Sequence, residues 1–273
     1  MISTNFKLLL KCCLNEINKI SKPRHKKYDS KVKYSNEYYL TMIIFMLNDV
    51  NNWKFLSKLK TYSSEAKYHY KTIYNKFRLW TSLGVFKNAY QNYKTELNSN
   101  LLLIDATSIN NKYGSENIVI NPEYKKKKIT KLSLVTNKKG FILSVEPFDI
   151  KNKNENYSTS VHDVKMIKKN IDSIKSSDNK SKYYHLLGDK GYITQEKYEL
   201  NGKKIKIITP DKKNIKNKNS KYENKKLKQR VKIENINCNI KKYERIIMRK
   251  DRKLKYFMSF VYIGCLINNI TCG

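Results

Sequence analysis

Three carboxylate side chains are the residues of this chain best suited to bind divalent metal ions. Asp105 follows the apolar run Leu101–Ile104, Asp189 follows the strand-like run Tyr183–Gly188, and Glu234 lies in a segment with helical periodicity. Hard cations such as Mg²⁺ prefer oxygen ligands and keep several waters, so a few carboxylates suffice to bind them. Two such ions, about 3.5–4 Å apart, activate an attacking oxygen and stabilise a leaving one. The three acids therefore predict a two-metal site.

The segment around Glu234 has the pattern of an amphipathic helix. At about 100° per residue, Arg230, Glu234 and Lys241 fall within about 40° of one another. Apolar residues gather on the opposite side, which predicts that this side docks on a sheet: they are Ile233, Ile236, Ile240, Tyr243 and Ile247. An Arg and a Lys beside a metal-binding Glu suit phosphate binding. A solvated salt-bridge ladder is the alternative interpretation of this charged face.

Helical periodicity dominates the N-terminal third of the chain. Apolar residues recur at i, i+3, i+4, i+7 and i+10 over residues 70–80, and Gly84 separates this helix from the next one, residues 85–93. Lys71 and Arg78 are interleaved with the apolar positions. Two helices joined by a short turn, with basic residues on the first helix, predict a DNA-binding helix-turn-helix. Plain helix packing with solvated lysines is the alternative.

Strand-like runs begin near residue 100. They predict a mixed α/β (α+β) fold in which an antiparallel meander is followed by crossover units, the order of a ribonuclease H-like sheet. The strands that carry Asp105 and Asp189 pair in this topology, so the two acids become neighbours. The predicted strands cover 101–104, 129–136, 141–148, 183–187 and 204–208, with a hairpin turn at 137–140; the predicted helices cover 163–174, 194–200 and the segment of Glu234.

These patterns predict two domains. Residues 1–98 form a helical N-terminal region and residues 99–273 form the catalytic domain, within which the Lys- and Asn-rich stretch 210–229 is predicted to be a mobile loop. His162 and Asp163 are interpreted first as a helix entry, because an acid is favourable near the positive end of a helix. A supporting role at the metal site is the alternative for this pair.

The composition indicates the partner. The chain has 57 Lys and Arg against 23 Asp and Glu, a formal net charge of +34, and the natural counterpart of such charge is a polyanion. A genome rich in A and T is an alternative source of many lysines. Five cysteines without zinc-site spacing predict free thiols in a reducing compartment. Without a signal peptide or membrane span, the sequence predicts a soluble intracellular protein, with cytoplasm and nucleus equally open.

Motifs around the three acids resemble those of the DDE transposases of bacterial insertion sequences. Asp105–Thr107 resembles the Asp-x-Thr/Ser of their first strand, and Gly188–Tyr192 is similar to their second-acid signature. Their C-terminal signature Y-x2-R-x3-E-x6-K matches residues 230–241, except that Leu227 stands where the Tyr is expected. The resemblance covers about residues 65–270.

The resemblance implies a ribonuclease H-like core that cuts DNA at element ends and joins the freed 3′ hydroxyls to a target. It implies two Mg²⁺ ions, with Mn²⁺ as a substitute, held by Asp105, Asp189 and Glu234. The expected partners are double-stranded DNA and a second copy on that DNA, with no membrane and no small-molecule cofactor. The expected DNA contacts are Arg230, Lys241, Lys190, Lys71 and Arg78.

Two other functions remain open at this stage. A domesticated or decayed transposase would bind DNA without cutting it, and a ribonuclease H-like nuclease would cut without strand transfer. The three acids favour an active enzyme over a decayed copy. The DNA that flanks the gene, inspected for inverted repeats and a short target duplication, would separate these alternatives.

Overall fold

The computed structural model describes residues 4–20, 34–48, 52–58, 70–93, 100–121, 127–149, 162–175, 182–211 and 218–272. Its α-helices are α1 (Thr4–Ile20), α2 (Asn36–Phe45), α3 (Tyr70–Ser82), α4 (Val85–Asn92), α5 (Met166–Ser173), α6 (Lys221–Leu227), α7 (Val231–Ile240), α8 (Glu244–Ile247) and α9 (Leu254–Cys272). Its strands are β1 (Leu101–Asn111), β2 (Val119–Asn121), β3 (Lys127–Asn137), β4 (Ile142–Pro147), β5 (Tyr184–Leu187), β6 (Tyr198–Leu200), β7 (Lys203–Ile208) and β8 (Met248–Arg249).

The strands form one mixed sheet with a ribonuclease H-like order. Its main path is β2-β3-β1-β5-β7-β6, with β4 also paired to β3 and β8 paired to β1. Strand β1 is antiparallel to β3 and parallel to β5, and β5 is parallel to β7. The antiparallel meander β1-β3-β4 followed by parallel β5 and β7 is the predicted topology, which is thereby confirmed.

Side chains of successive β1 residues pack alternately into two layers of the core, one on each face of the sheet. Leu101 and Leu103 pack in a cluster with α7, α9 and the N-terminal helices, whereas Leu102 and Ile104 pack in the cluster under α5. Because successive strand residues point to opposite faces, Asp105 shares the face of Leu103. The helix that carries Glu234 covers that same face, as the amphipathic pattern predicts.

The N-terminal helices pack against the C-terminal helix α9. Phe77 of α3 stacks on Phe260 of α9 with ring centroids 4.9 Å apart, and both side chains are fully buried. Gly84, at φ +73°, forms the turn between α3 and α4 as the sequence predicts, because glycine adopts this left-handed conformation without strain. The N-terminal helices therefore share one continuous hydrophobic core with elements that follow residue 99.

One predicted helix is wrong. Residues 194–200 were expected to be helical, but Tyr198–Leu200 is strand β6, antiparallel to β7. Asn201 (φ 52°) and Gly202 (φ 69°) form the two-residue connection between these strands. An Asn-Gly pair is the preferred sequence for such a hairpin turn, because both positions require positive φ. The turn chemistry outweighs the helix propensity of the preceding residues.

The predicted loop at 210–229 is wrong for its second half. Lys221–Leu227 is helix α6, and its N-terminus is closed by a capping box. The Ser220 side chain accepts a hydrogen bond from the Glu223 amide, and the Glu223 carboxylate accepts one from the Ser220 amide. These paired bonds satisfy the first free amides of the helix. Residues 212–217 of the predicted loop lie outside the described residues.

Two further observations concern the cysteines and possible membrane spans. All five cysteines are free thiols, as expected from their spacing. Within the described ranges, no helix combines the length and the apolar character needed to span a membrane.

Candidate active site

Strand pairing brings Asp105 and Asp189 together. Strands β1 and β5 pair in parallel, with Leu103 opposite Leu187. Asp105 and Asp189 each follow this pair by two residues along the chain, so the strand pairing brings both acids into the same region of the sheet. Burial raises the pKa of Asp105 to about 6, and the nearby charge of Asp189 acts in the same direction. Two of the three predicted acids therefore lie close enough for their charges to interact.

The local turn fixes the Asp189 carboxylate. Asp189 follows β5 and caps the short 3₁₀ helix Lys190–Tyr192, where its Oδ1 accepts a hydrogen bond of 2.7 Å from the Gly191 amide. The residue before Asp189 must be a glycine, because a Cβ on Gly188 would lie 2.8 Å from the ring of Tyr192. The Gly-Asp-x-Gly-Tyr sequence thus builds a turn that orients one carboxylate toward the sheet edge.

Asn237 on α7 contacts Asp105 directly. Its Nδ2 donates a hydrogen bond of 2.7 Å to Oδ2 of Asp105, and the residue is only 6% exposed. Its Oδ1 is buried and has no hydrogen-bond partner among the described residues. The sequence analysis did not select Asn237. The available signal was its position three residues after Glu234, since residues at i and i+3 are neighbours on a helix surface.

Glu234 lies on the same helix, three residues before Asn237. Helix α7 packs on β1, but the Glu234 side chain is 56% exposed, and its Oε1 lies 3.8 Å from Nη2 of Arg230. Within the ranges that the structure describes, no three Asp, Glu, His or Cys side chains converge on a possible metal position. The structure therefore brings Asp105 and Asp189 together and holds Glu234 on the same helix as Asn237, with its carboxylate directed to Arg230.

Two cations flank Asp105 from α7. The charge of Arg230 opposes the rise in the pKa of Asp105, and its Nε is buried without a hydrogen-bond partner in the described part of the chain. Lys241, at the end of α7, is half-buried; burial lowers its pKa, and Asp105 acts in the opposite direction. Lys190 is exposed next to Asp189. Three of the five predicted DNA contacts therefore border the acids.

The other two predicted DNA contacts are on helix α3. Lys71 is exposed on the first turn of this helix, and Arg78 is exposed near its end. Nε of Arg78 donates a hydrogen bond of 3.2 Å to the Tyr256 hydroxyl on α9. These two residues belong to the helical layer rather than to α7 or the β5 turn.

A family comparison covers most of this site. The model of the DDE superfamily endonuclease family matches residues 120–269, which is more than half of the chain. The chain belongs to this family. The match includes Asp189 and Glu234 and begins after Asp105. No match was found among curated proteins.

A solved structure is also similar to this member of the DDE family. The structure is described as a cryo-EM structure of a piggyBac transposase synaptic complex with hairpin DNA. The two chains are 10% identical, the TM-score is 0.49, and the similarity covers 98% of this chain and 72% of the other.

The oxygen atoms of the site fit a hard divalent cation. One carboxylate comes from Asp105 on β1 and one from Asp189 just after β5, and the buried Oδ1 of Asn237 supplies an oxygen that no donor in the described ranges occupies. Carboxylate and amide oxygens are the ligands that Mg²⁺ and Mn²⁺ accept, whereas sulfur and imidazole favour softer metals. In this DDE family member, the residues therefore suit the metal chemistry that the family name implies.

Asp163 lies next to the turn of Asp189 in this family member. It begins a short 3₁₀ helix before α5, as expected for a helix entry, and its carboxylate pairs with Nζ of Lys131 at 2.5 Å. A Cβ on Gly191 would lie 3.3 Å from Oδ2 of Asp163, so the two loops are in contact. Both interpretations of this residue, helix entry and support of the Asp189 turn, are compatible with its position.

Proposed function

We propose that this DDE family member is a DNA transposase, which cuts DNA at the ends of a mobile element and joins the freed 3′ hydroxyls to target DNA. The observation that supports the proposal is the proximity of Asp105 and Asp189, whose charges interact next to the paired strands β1 and β5, on a sheet against which the helix of Glu234 packs. Phosphoryl transfer with two metal ions requires carboxylates that meet at the ions, and these two acids supply part of that set.

Asp105, Asp189 and Glu234 are the proposed metal ligands, for two Mg²⁺ ions or for Mn²⁺ in their place. When bound, the ions supply the charge that activates the attacking oxygen and stabilises the leaving one. Asp189 is already oriented by the Gly191 amide, and Asp105 by the Asn237 amide. Both carboxylates are therefore held in position before a substrate arrives, which lowers the cost of reaching the reactive geometry.

Arg230 and Lys241 are the proposed phosphate contacts, with Lys190 beside them. An Arg guanidinium binds a phosphate through two hydrogen bonds, and the charge of Arg230 acts on Asp105. The half-buried Lys241 adds a positive charge near Asp105. Arg230 and Lys241 flank the two ends of α7, and both interact electrostatically with Asp105.

A phosphate at Arg230 would also release Glu234. The Arg230–Glu234 contact is 3.8 Å long and joins a half-exposed carboxylate, and such exposed ion pairs contribute only about 0–1 kcal/mol. A DNA phosphate competes for the same guanidinium. We infer that substrate binding frees the Glu234 carboxylate to turn toward Asp105 and Asp189, which completes the set of three acids.

Double-stranded DNA is the proposed partner, both as element end and as target, and a homodimer is the proposed form on DNA. The net charge of +34 favours a polyanionic partner of this kind. The family description, endonuclease, applies equally to an enzyme that cuts without joining, so the experiment must separate the two reactions.

The test uses a labelled duplex that contains the DNA flanking the gene, together with an unlabelled target plasmid. With Mg²⁺, the proposal predicts cleavage at the element end followed by transfer of label to the plasmid, and neither product with a chelator. Cleavage without transfer of label would support the nuclease. Binding of the duplex without cleavage in Mg²⁺ or Mn²⁺ would support the decayed copy and contradict the proposal.

A further inference from the structure

A basic pocket lies away from the three acids, where the N-terminal helices meet the segments that follow β1 and β8. The cavity has a volume of about 580 Å³. Its exposed cations come from three separate parts of the sequence: Arg78 from α3, Lys112 from the end of β1, and Arg252 and Lys253 from the loop before α9. Cations that converge from distant segments are more informative than a run of lysines, because only the fold brings them together.

The acidic residue of this pocket does not neutralise the exposed positive charges. Asp251 is the acidic residue among those that line the cavity, and it is buried against Arg245, with Oδ1 3.3 Å from Nη1. The Asp251 carboxylate is therefore balanced by an internal guanidinium. The exposed surface of the pocket keeps its positive charge, which suits an anionic ligand.

Aromatic rings alternate with these cations. Trp53, Tyr74, Tyr113 and Tyr256 line the same cavity. The Tyr113 side chain is 59% exposed, and Nζ of Lys112 lies 5.2 Å from its ring centroid. Basic side chains beside an exposed ring such as Tyr113 suit the backbone of a nucleic acid, since phosphates pair with the cations and a sugar contacts the ring.

The walls of the pocket are held together by the fully buried Arg249. Its guanidinium donates to the carbonyl oxygens of Glu116, at 2.6 Å, and of Arg252, at 3.1 Å. Its own carbonyl oxygen accepts a hydrogen bond of 2.9 Å from the Lys112 amide. These bonds tie the segment after β1 to the loop before α9, so the cations on both segments are positioned before any ligand binds.

Strand β1 connects this pocket to the candidate active site. Asp105 lies within β1, and Lys112 directly follows the last residue of the strand. At about 3.3 Å per residue, the two are separated by roughly 20 Å. One DNA strand advances about 3.4 Å per nucleotide, so this distance corresponds to about six base pairs.

We propose that the pocket binds backbone phosphates of the same DNA duplex, about six base pairs from the bond positioned at Asp105. The inference rests on the proposed function, because it takes the duplex to lie across the acids. The pocket then acts as a second anchor, which fixes the direction of the duplex as well as its position.

The first test removes two pocket charges and measures DNA binding without cleavage, in Ca²⁺ or in chelator. The variant is Lys112→Ala/Lys253→Ala. The matched control is Lys138→Ala/Lys139→Ala, which removes two exposed lysines from the β3–β4 turn at the opposite end of β1. The pocket variant should bind a duplex of about 20 base pairs roughly tenfold more weakly in about 0.1 M salt, with a salt slope smaller by about 2.

A DNA hairpin with a stem of about 4 base pairs, roughly 14 Å long and so too short to reach both places, should lose much less affinity in the pocket variant. Wild-type affinity and salt slope for the long duplex would overturn the proposal, as would an equal loss in the control. Equal losses for both lengths would make the pocket a separate site and would also overturn it. This result is independent of cleavage, so failure of the proposed function is measured separately.

A free phosphate ion carries the same chemical group as the DNA backbone, so its binding to the pocket needs a separate test. Inorganic phosphate alone, followed by the fluorescence of Trp53 in the pocket wall, should give no saturable change at micromolar concentration. A saturable change that is lost in Lys112→Ala/Lys253→Ala would identify a site for a small anion and overturn the DNA assignment.

Discussion

The side-chain amide of Asn237 donates a hydrogen bond of 2.7 Å to the carboxylate of Asp105 and so joins helix α7 to strand β1. Asn237 is buried, and hydrogen bonds to charged groups contribute about 1.5–3 kcal/mol. The bond therefore fixes both the orientation of the Asp105 carboxylate and the position of the helix that carries Glu234. Two elements, α7 and β1, are held together by this contact.

Asn237→Ala should weaken metal binding. Loss of the bond leaves the Asp105 carboxylate free to rotate, and residues that orient a metal ligand typically contribute about 10–100-fold to metal affinity. Titration calorimetry with Mn²⁺ measures the effect directly, without an activity assay. Asn239→Ala, an exposed change on the same helix, is the control and should leave Mn²⁺ binding as in the wild type. Equal Mn²⁺ affinities for Asn237→Ala and the control would contradict this role.

Asp105→Asn should stabilise the metal-free protein above pH 6. Burial raises the pKa of Asp105 from 3.8 to about 6, so the folded state resists ionisation of this group. The resulting destabilisation is absent below about pH 3.8, grows through the window between 3.8 and 6, and is complete above it. Denaturation in chelator should give a gain of about 3 kcal/mol at neutral pH.

The same substitution should give little gain at pH 4, where Asp105 is protonated in the folded wild type. Asp172→Asn, an exposed change on α5, is the control and should have little effect at either pH. A gain of equal size at both pH values would show that the effect of Asp105→Asn is not electrostatic.

Arg245→Met should destabilise the protein by about 3–5 kcal/mol, because it leaves Asp251 buried without its partner. The double variant Arg245→Met/Asp251→Asn should lose less than Arg245→Met alone, since no charge is then left unpaired. Urea denaturation measures the free energies of unfolding. A loss of under about 1 kcal/mol for Arg245→Met would contradict the importance of this buried pair.

The sequence predicts the parts of the site that depend on regular patterns. Strand order places the strands of Asp105 and Asp189 side by side, and apolar periodicity decides which face of α7 meets the sheet. Asn237 could not be selected in the same way, because an amide at the edge of an apolar face has no distinctive pattern. Its role follows only from the distance to Asp105.

Strand β6 and helix α6 were not predicted from hydrophobic periodicity, but short local sequence motifs indicate both of them. Strand β6 is too short to show alternation, and the Asn201–Gly202 pair is the feature that indicates its hairpin. Helix α6 is almost entirely polar, so only the Ser220–Glu223 capping box indicates where it begins. The Glu234 side chain is a different case, because its contact with Arg230 is a side-chain rotamer that hydrophobic periodicity does not predict.

The most direct measurement is Mg²⁺-dependent cleavage of labelled DNA by Asp105→Ala, Asp189→Ala and Glu234→Ala. Removal of one ligand from a two-metal site should abolish cleavage, while DNA binding and thermal stability are kept. Glu244→Ala, an exposed change just beyond α7, should cleave as the wild type does. Ca²⁺, which accepts looser geometry, should support binding but not cleavage. Wild-type cleavage by any one of the three alanine variants would contradict the proposed active site.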